Sequence, residues 1–308
     1  MSDFNPDHER MAAELIDSGG YRVLRRMGPL VPVPAPPDTR LLRGLVLDVE
    51  TTGFDPGREA IIQFCAIPFD YSPESGLIHS VGPTASWFED PGRPIPAEVV
   101  ALTGITDAMV QGQRIDEAAA AALAEPAALV IAHNAGFDRP FVDRRLPAFR
   151  DKAWACSINE IVWRNAGYPS SALQVLVAWH CHAFYDAHRA DADCLALLHI
   201  LARPFADGIV PLARLLESAR KKTVRLYATD APFDKKDLLK ARRYRWSNGE
   251  EGRKKAWFRD FNEDQIEAEY GWLAEQIYGG SRGKWQEERI SAKNRYKESR
   301  VEGRETRV

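Results

Sequence analysis

The sequence predicts an α/β protein, a mixed sheet flanked by helices, with a second, small α+β domain. Three observations carry that reading. Apolar segments at 43–49, 61–69 and 78–88 follow one another with only short turns between them, which builds an antiparallel meander. Beyond residue 115, strand and helix patterns alternate, which adds further strands and covering helices. After about residue 218 the charge balance changes sign, which marks a second module.

Taken in order, residues 7–18 suit a short helix with Met11, Leu15 and Ile16 apolar, and 21–24 suit a short strand. Prolines at 29, 32, 34, 36 and 37 predict an extended linker, so 1–40 reads as an N-terminal extension. The main domain spans 41–205. Its meander carries the turn Pro73-Glu74-Ser75-Gly76 between the second and third strands. An alanine-rich helix at 115–124 precedes the strand 128–132, and helices are expected at 137–146, 157–166, 171–180 and 190–202. Residues 206–222 form a connector with a helix from Pro211 to Arg220. The second module, 223–278, reads as strand 224–228, helix 234–243, hairpin 244–247 with 256–261, and helix 263–277. Residues 279–308 alternate charges with few apolar side chains, which predicts a charged, largely mobile tail.

Composition narrows the class. Charged residues are 28% and hydrophobic ones 45%, as in a soluble globular protein. The start, Met1 to Arg10, is polar and lacks the apolar stretch of a secretory signal, and no run is long enough for a membrane span. Four scattered cysteines form no CxxC pair, which suggests reduced thiols and a cytoplasmic location. The adjacent His180-Cys181-His182 point in different directions and are not expected to bind zinc. Residues 1–218 carry 18 Lys+Arg against 28 Asp+Glu, whereas 219–308 carry 23 against 16. An acidic main domain joined to a basic module suggests a polyanionic partner held by the second half.

The chemistry concentrates in Gly44-Leu45-Val46-Leu47-Asp48-Val49-Glu50-Thr51-Thr52-Gly53. Alternate residues of a strand share a face, so Asp48 and Glu50 project together from the end of a buried strand. Two such acids repel each other and lose hydration. A divalent metal would balance them; an acidic strand end satisfied by backbone groups or Arg is the plainer alternative. Asp138, after the strand 128–132, would by itself pass for a helix-start carboxylate. His188 and Asp193 begin a late helix whose apolar face is Ala190, Cys194, Leu197, Leu198 and Leu201. Together these residues suit phosphodiester hydrolysis with two metals about 4 Å apart. Asp48, Glu50 and Asp193 would hold one metal, and Asp48 with Asp138 the second. A neutral His188 would accept a proton, free imidazole titrating near 6.5.

Asp48-Val49-Glu50-Thr51-Thr52-Gly53, His133-Asn134-Ala135-Gly136-Phe137-Asp138, and His188 with Asp193 five residues on resemble the three motifs of the DEDDh 3′–5′ exonuclease superfamily, in particular its proofreading epsilon type. Leu102-Thr103-Gly104-Ile105-Thr106-Asp107 is similar to a further segment of that family. The resemblance covers about residues 41–205. It implies an RNase H-like fold, two Mg²⁺ or Mn²⁺ ions, and release of nucleoside monophosphates from a 3′ end. It further implies that Thr51, Ile105 and Asn134 bind the terminal nucleotide, with Ile105 wedged against its base. Asp191 competes with Asp193 as a ligand, but its spacing from His188 departs from the pattern.

The second module looks like a small accessory domain of DNA-processing proteins. Its Lys and Arg residues, interleaved with Tyr244, Trp246, Trp257, Phe258 and Phe261, would hold phosphates and stack bases. Trp246 and Trp257 are expected in its core. No clamp-binding pentapeptide follows the main domain, a departure from a full polymerase subunit. The expected partner is therefore nucleic acid with a free 3′ end, single-stranded DNA first, with a DNA polymerase as a candidate partner. The leading expectation is a DNA exonuclease of proofreading or repair. An RNA-trimming exonuclease and a non-catalytic polymerase-binding scaffold are the alternatives.

Overall fold

The computed structural model describes residues 5–249, 254–280 and 283–297. α1 (Pro6–Asp17) starts at Asn5, whose side chain accepts from the Asp7 N–H. β1 (Arg25–Arg26) follows. The meander is β2 (Leu42–Thr51), β3 (Ile61–Tyr71), β4 (Ile78–Val81) and β5 (Ala85–Phe88). What reads as one third strand is two, and both pair antiparallel with β3. Short helices α2 (Ala97–Thr103) and α3 (Asp107–Val110) lead to α4 (Glu117–Ala124). Next come β6 (Leu129–Ala132), α5 (Ala135–Arg145), β7 (Trp154–Cys156), α6 (Ser157–Glu160) and α7 (Leu173–Leu176). β8 (Ala183–Phe184), α8 (Ala190–Ala202) and α9 (Pro211–Arg220) complete this part.

The main sheet runs β4-β3-β2-β6-β7, with β5 also on β3. β2 is antiparallel to β3 but parallel to β6, and β6 is parallel to β7. The sheet is therefore mixed, as expected of an RNase H-like fold. Its two faces bury different sets. Val46, Cys65 and Ile67 meet α8 and α9, while Leu45, Leu47 and Val49 meet α4 and α5. Gly44 permits a close approach, since a Cβ there would overlap the Phe69 ring.

Two boundaries change. The N-terminal extension is not merely a linker, because β1 pairs with β8 and Met27 and Leu30 pack on the core. The connecting helix α9 buries Leu212, Leu215, Leu216 and Ala219 in that same core, so it belongs to the main domain. Its leucines at i, i+3, i+4 spacing cover the apolar stripe that α8 leaves. Among the described residues no helix is long and apolar enough to cross a membrane.

The second module contains β9 (Thr223–Ala228), α10 (Lys236–Ala241), β10 (Arg245–Ser247), β11 (Ala256–Asn262), α11 (Ile266–Trp272) and β12 (Gln286–Ile290). The antiparallel sheet runs β10-β11-β9-β12, with Val224, Leu226 and Ala228 packed against α10 and α11. Tyr244, Phe258 and Phe261 are buried, but Trp246, expected in the core, is 44% exposed and meets Trp257 edge to face. It lies on β10, the edge strand of the sheet, whereas Trp257 on β11 packs against the core. The expected mobile tail is also corrected. Residues 286–290 add a strand to this sheet, and 291–297 run back onto the main domain. The rest of the tail, 298–308, lies outside the described residues.

Candidate active site

Asp48 and Glu50 lie on the α8-facing side of β2, the side shared by Val46. α8 starts over this strand end and brings Asp193 onto the same side. Carboxylate oxygens of Asp48, Glu50 and Asp193 all lie within 4.8 Å of one another. Asp138 approaches from the first turn of α5, on the opposite face. It is 2% exposed, and the Val49 N–H donates to its Oδ1 at 3.2 Å. Asp138 is thus fixed at the strand position between the two other acids. A register shift of β2 against β3 falls between Glu50 and Thr51, just past the acids.

Burial raises the pKa of every carboxyl in the cluster. Burial first, then Asp138, Asp193 and Glu50, push the Asp48 carboxyl well above the usual range. Burial and the neighbouring Asp193 and Asp138 raise Glu50 to about 8. Burial raises Asp138 to about 7 and also raises Asp193. Among the described residues none of these four forms an ion pair with Lys or Arg. Of the plainer alternative, a strand end satisfied by backbone groups or Arg, the structure holds only parts: the Val49 N–H on Asp138, and Arg189 near enough to oppose the rise at Glu50.

Asp193 is held on both oxygens. Tyr185 donates its hydroxyl to Oδ1 at 2.6 Å, and the Arg189 N–H donates to Oδ2 at 3.1 Å. Asp191 turns instead to Gln63 Nε2 at 3.2 Å and Arg189 at 3.7 Å, outside the acidic cluster. His188 is exposed, with a left-handed backbone (φ 64°), on the loop entering α8. Thr51 is buried and donates to the Gly53 carbonyl at 2.6 Å. Asn134 stands half-buried before α5, its side chain not capping the helix. Ile105 does not meet the expectation of a base wedge. It is fully buried with Ile62, Ile95 and Val110, supporting from beneath the turn that follows α2.

Two residues escaped the sequence reading. Gln63, opposite Glu50 on β3, accepts the Ala190 N–H with Oε1 and so fastens the start of α8 to the sheet. Its signal was a single amide inside the apolar run Ile61 to Phe69. Tyr185 carries no periodic signal, since it lies in the irregular approach to α8. His133, by contrast, is a structural residue. Its ring nitrogens meet Ser157 Oγ at 2.6 Å and the Ser171 carbonyl at 2.8 Å, and burial lowers its pKa to about 4.

The sequence model of the family described as Exonuclease (RNase_T) matches residues 45–201, just over half of the chain. The 3′–5′ exonuclease DinG of Bacillus subtilis is 36% identical over 172 residues, 52% of this chain and 18% of that protein. A DNA polymerase III subunit epsilon-like protein of Rhodobacter capsulatus is 36% identical over 111 residues, 33% of this chain and 14% of that protein. The chain thus spans less than a fifth of the length of these curated relatives. Among solved structures, a zinc-bound complex of E. coli exonuclease I with single-stranded DNA gives a TM-score of 0.49 at 17% identity, covering 72% of this chain and 63% of that one.

Proposed function

The chain belongs to the exonuclease family, and from that premise we propose a metal-dependent 3′–5′ exonuclease that releases nucleoside monophosphates from DNA in proofreading or repair. The observation that carries the reading is the convergence of Asp48, Glu50 and Asp193 within 4.8 Å, with Asp138 bonded to the intervening strand residue. Oxygen donors of this charge and number fit Mg²⁺ or Mn²⁺. Asp48, Glu50 and Asp193 would hold the first ion, and Asp48 with Asp138 would hold the second. Two such ions, when bound, generate a nucleophile near neutrality and stabilise the leaving oxygen of an in-line displacement.

The protein's own groups do the rest. Tyr185 and the Arg189 N–H orient Asp193. His188 takes the proton of the attacking water on a ring nitrogen, and its exposed loop lets it pass that proton to solvent. Thr51 and Asn134 line the approach of the terminal nucleotide. In the second module, exposed Trp246 and Phe233 stack bases, and neighbouring Lys and Arg hold phosphates.

Degradation of matched single-stranded DNA, duplex DNA and RNA, each labelled at the 3′ or 5′ end, tests the reading. With Mg²⁺ or Mn²⁺ the 3′ label is expected to leave first, as a monophosphate, and fastest from single-stranded DNA. Faster loss from RNA would move the substrate to RNA. Full activity in excess chelator would overturn the metal-dependent mechanism.

A further inference from the structure

Helix α5, which presents Asp138, is weak in its own sequence. Asn134 gives it no side-chain cap, Gly136 lies in its first turn, and Pro140 lies inside it. Pro140 has no N–H to return to the Gly136 carbonyl, so the turn holding Asp138 lacks a bond that an ordinary helix would have. Its position must be fixed from outside the helix.

The next residue does this. Arg139 is fully buried, and its guanidinium is saturated by acceptors. Nη1 donates to the Arg295 carbonyl at 2.6 Å and the Ala292 carbonyl at 3.4 Å, and Nη2 to the Lys293 carbonyl at 2.6 Å. The remaining donors reach the Arg150 and Lys152 carbonyls and Asp143. The two shortest bonds therefore go to the C-terminal segment, more than 150 residues away. That segment is anchored independently. Ala292 O accepts the Trp154 N–H on the outer edge of β7, the last strand of the sheet, at 2.8 Å. Tyr296 enters the core beside α5 and donates to Glu160 at 2.8 Å, while Arg295 pairs with Glu160 at 3.2 Å.

We infer that residues 291–297 are a clasp that completes the exonuclease domain, and that Arg139 is a positioning residue which, through this clasp, fixes Asp138 at the metal site. Asp138 is gripped from the strand side by Val49, and its helix is gripped from the far flank by Arg139 and the clasp. The inference rests on the assignment of Asp138 as a metal ligand.

The test uses full-length protein and Mn²⁺ alone as the probe. Mn²⁺ binding is measured by calorimetry for wild type, Arg139→Met, Arg139→Lys and the double variant Arg295→Ala/Tyr296→Phe, with thermal unfolding in chelator as the folding check. Arg139→Met and the double variant are each expected to weaken one Mn²⁺ site by about ten-fold or more, the usual scale for losing an outer-shell support. The turnover number should fall in step while KM for a single strand is unchanged. Arg139→Lys should recover part of the loss. Combining Arg139→Met with the double variant should be no worse than either alone, because all act through one device. Should Arg139→Met fail to fold, the double variant decides, since it leaves 41–205 intact and keeps the Tyr296 ring. Folded variants that melt earlier but bind Mn²⁺ as wild type does would overturn the inference and leave the metal site standing. Wild type that binds no Mn²⁺ would remove the metal reading itself, and the inference with it.

Discussion

At Asp48, removing one negative charge acts in opposite directions on activity and stability. Asp48→Asn takes away a ligand of both proposed ions, so turnover should fall at least about a hundred-fold, the scale of losing one preorganised stabiliser. In chelator the same variant should be more stable than wild type at pH 8, by on the order of 1–2 kcal/mol, because repulsion among buried carboxylates is relieved. A carboxyl whose pKa rises on folding stabilises fully below its unfolded value, and that contribution is lost as pH rises through its folded value. With Asp138 at about 7 and Glu50 at about 8, metal-free wild type should lose stability from about pH 4 up to pH 8. Melting curves across that range, with and without Mn²⁺, check both statements. An Asp48→Asn melting point below that of wild type at pH 8 in chelator would contradict them. Tyr185→Phe removes only the hydroxyl on Asp193, so about a ten-fold loss of metal affinity is expected, read by Mn²⁺ titration. The acids were legible because strand period two and helix spacing say which side chains share a face. Tyr185 was not, because an irregular loop has no period.

Elements place these residues, and their strength varies. β2 is rigid, with Leu45, Val46 and Leu47 fully buried, and Gly44 admits Phe69 against its backbone. Gly44→Ala should therefore destabilise by roughly 1–3 kcal/mol, the usual cost of forcing atoms into a packed core. Denaturant midpoints measure it, and an unchanged midpoint would show that Phe69 has room to turn. The start of α8 was read correctly as 190, since its apolar face repeats at helical spacing. The helix expected at 157–166 is instead α6 followed by a turn at Trp163–Ala166. The buried Trp163 N–H donates to the Ser157 carbonyl at 2.8 Å, a side-chain bond that breaks the helical repeat. Ile105 shows the opposite limit. A motif position can suggest contact with a base, but burial among Ile62, Ile95 and Val110 is a tertiary fact that no local pattern carries.

Across the whole molecule, charge asymmetry and the two modules were visible in composition, but the route of the chain was not. The charged tail contains a strand and a clasp whose partners lie far back in sequence, at Thr223–Tyr227 and at Arg139, Trp154 and Glu160. Nothing local announces such pairings. They change how the role of the second module must be tested. Cutting the chain at 223 would also remove Tyr296 from the core of the main domain. Ile290 lies directly opposite Thr223 in the sheet, so a short Gly-Ser link from Lys222 to Ser291 excises the module and keeps the clasp. That variant should bind long single strands more weakly, with a shallower salt dependence, each lost phosphate contact removing about 0.7 from the log–log slope. Cleavage of a dinucleotide should be unchanged. Equal slopes in the two proteins would assign the module to another task.

On the proposed function, the four clustered carboxylates of Asp48, Glu50, Asp138 and Asp193 ionise together only when divalent metal is bound. Near pH 7 the metal-free site holds protons, since Glu50 titrates at about 8 and Asp138 at about 7. Metal that binds there would therefore displace them. The direct measurement is calorimetric titration of Mn²⁺ into full-length protein at pH 7, repeated in buffers of different ionisation enthalpy. Release of at least about one proton per protein is predicted, smaller at pH 9 and diminished in Asp48→Asn. Mn²⁺ binding with no proton release at pH 7, or release undiminished by Asp48→Asn, would contradict the account.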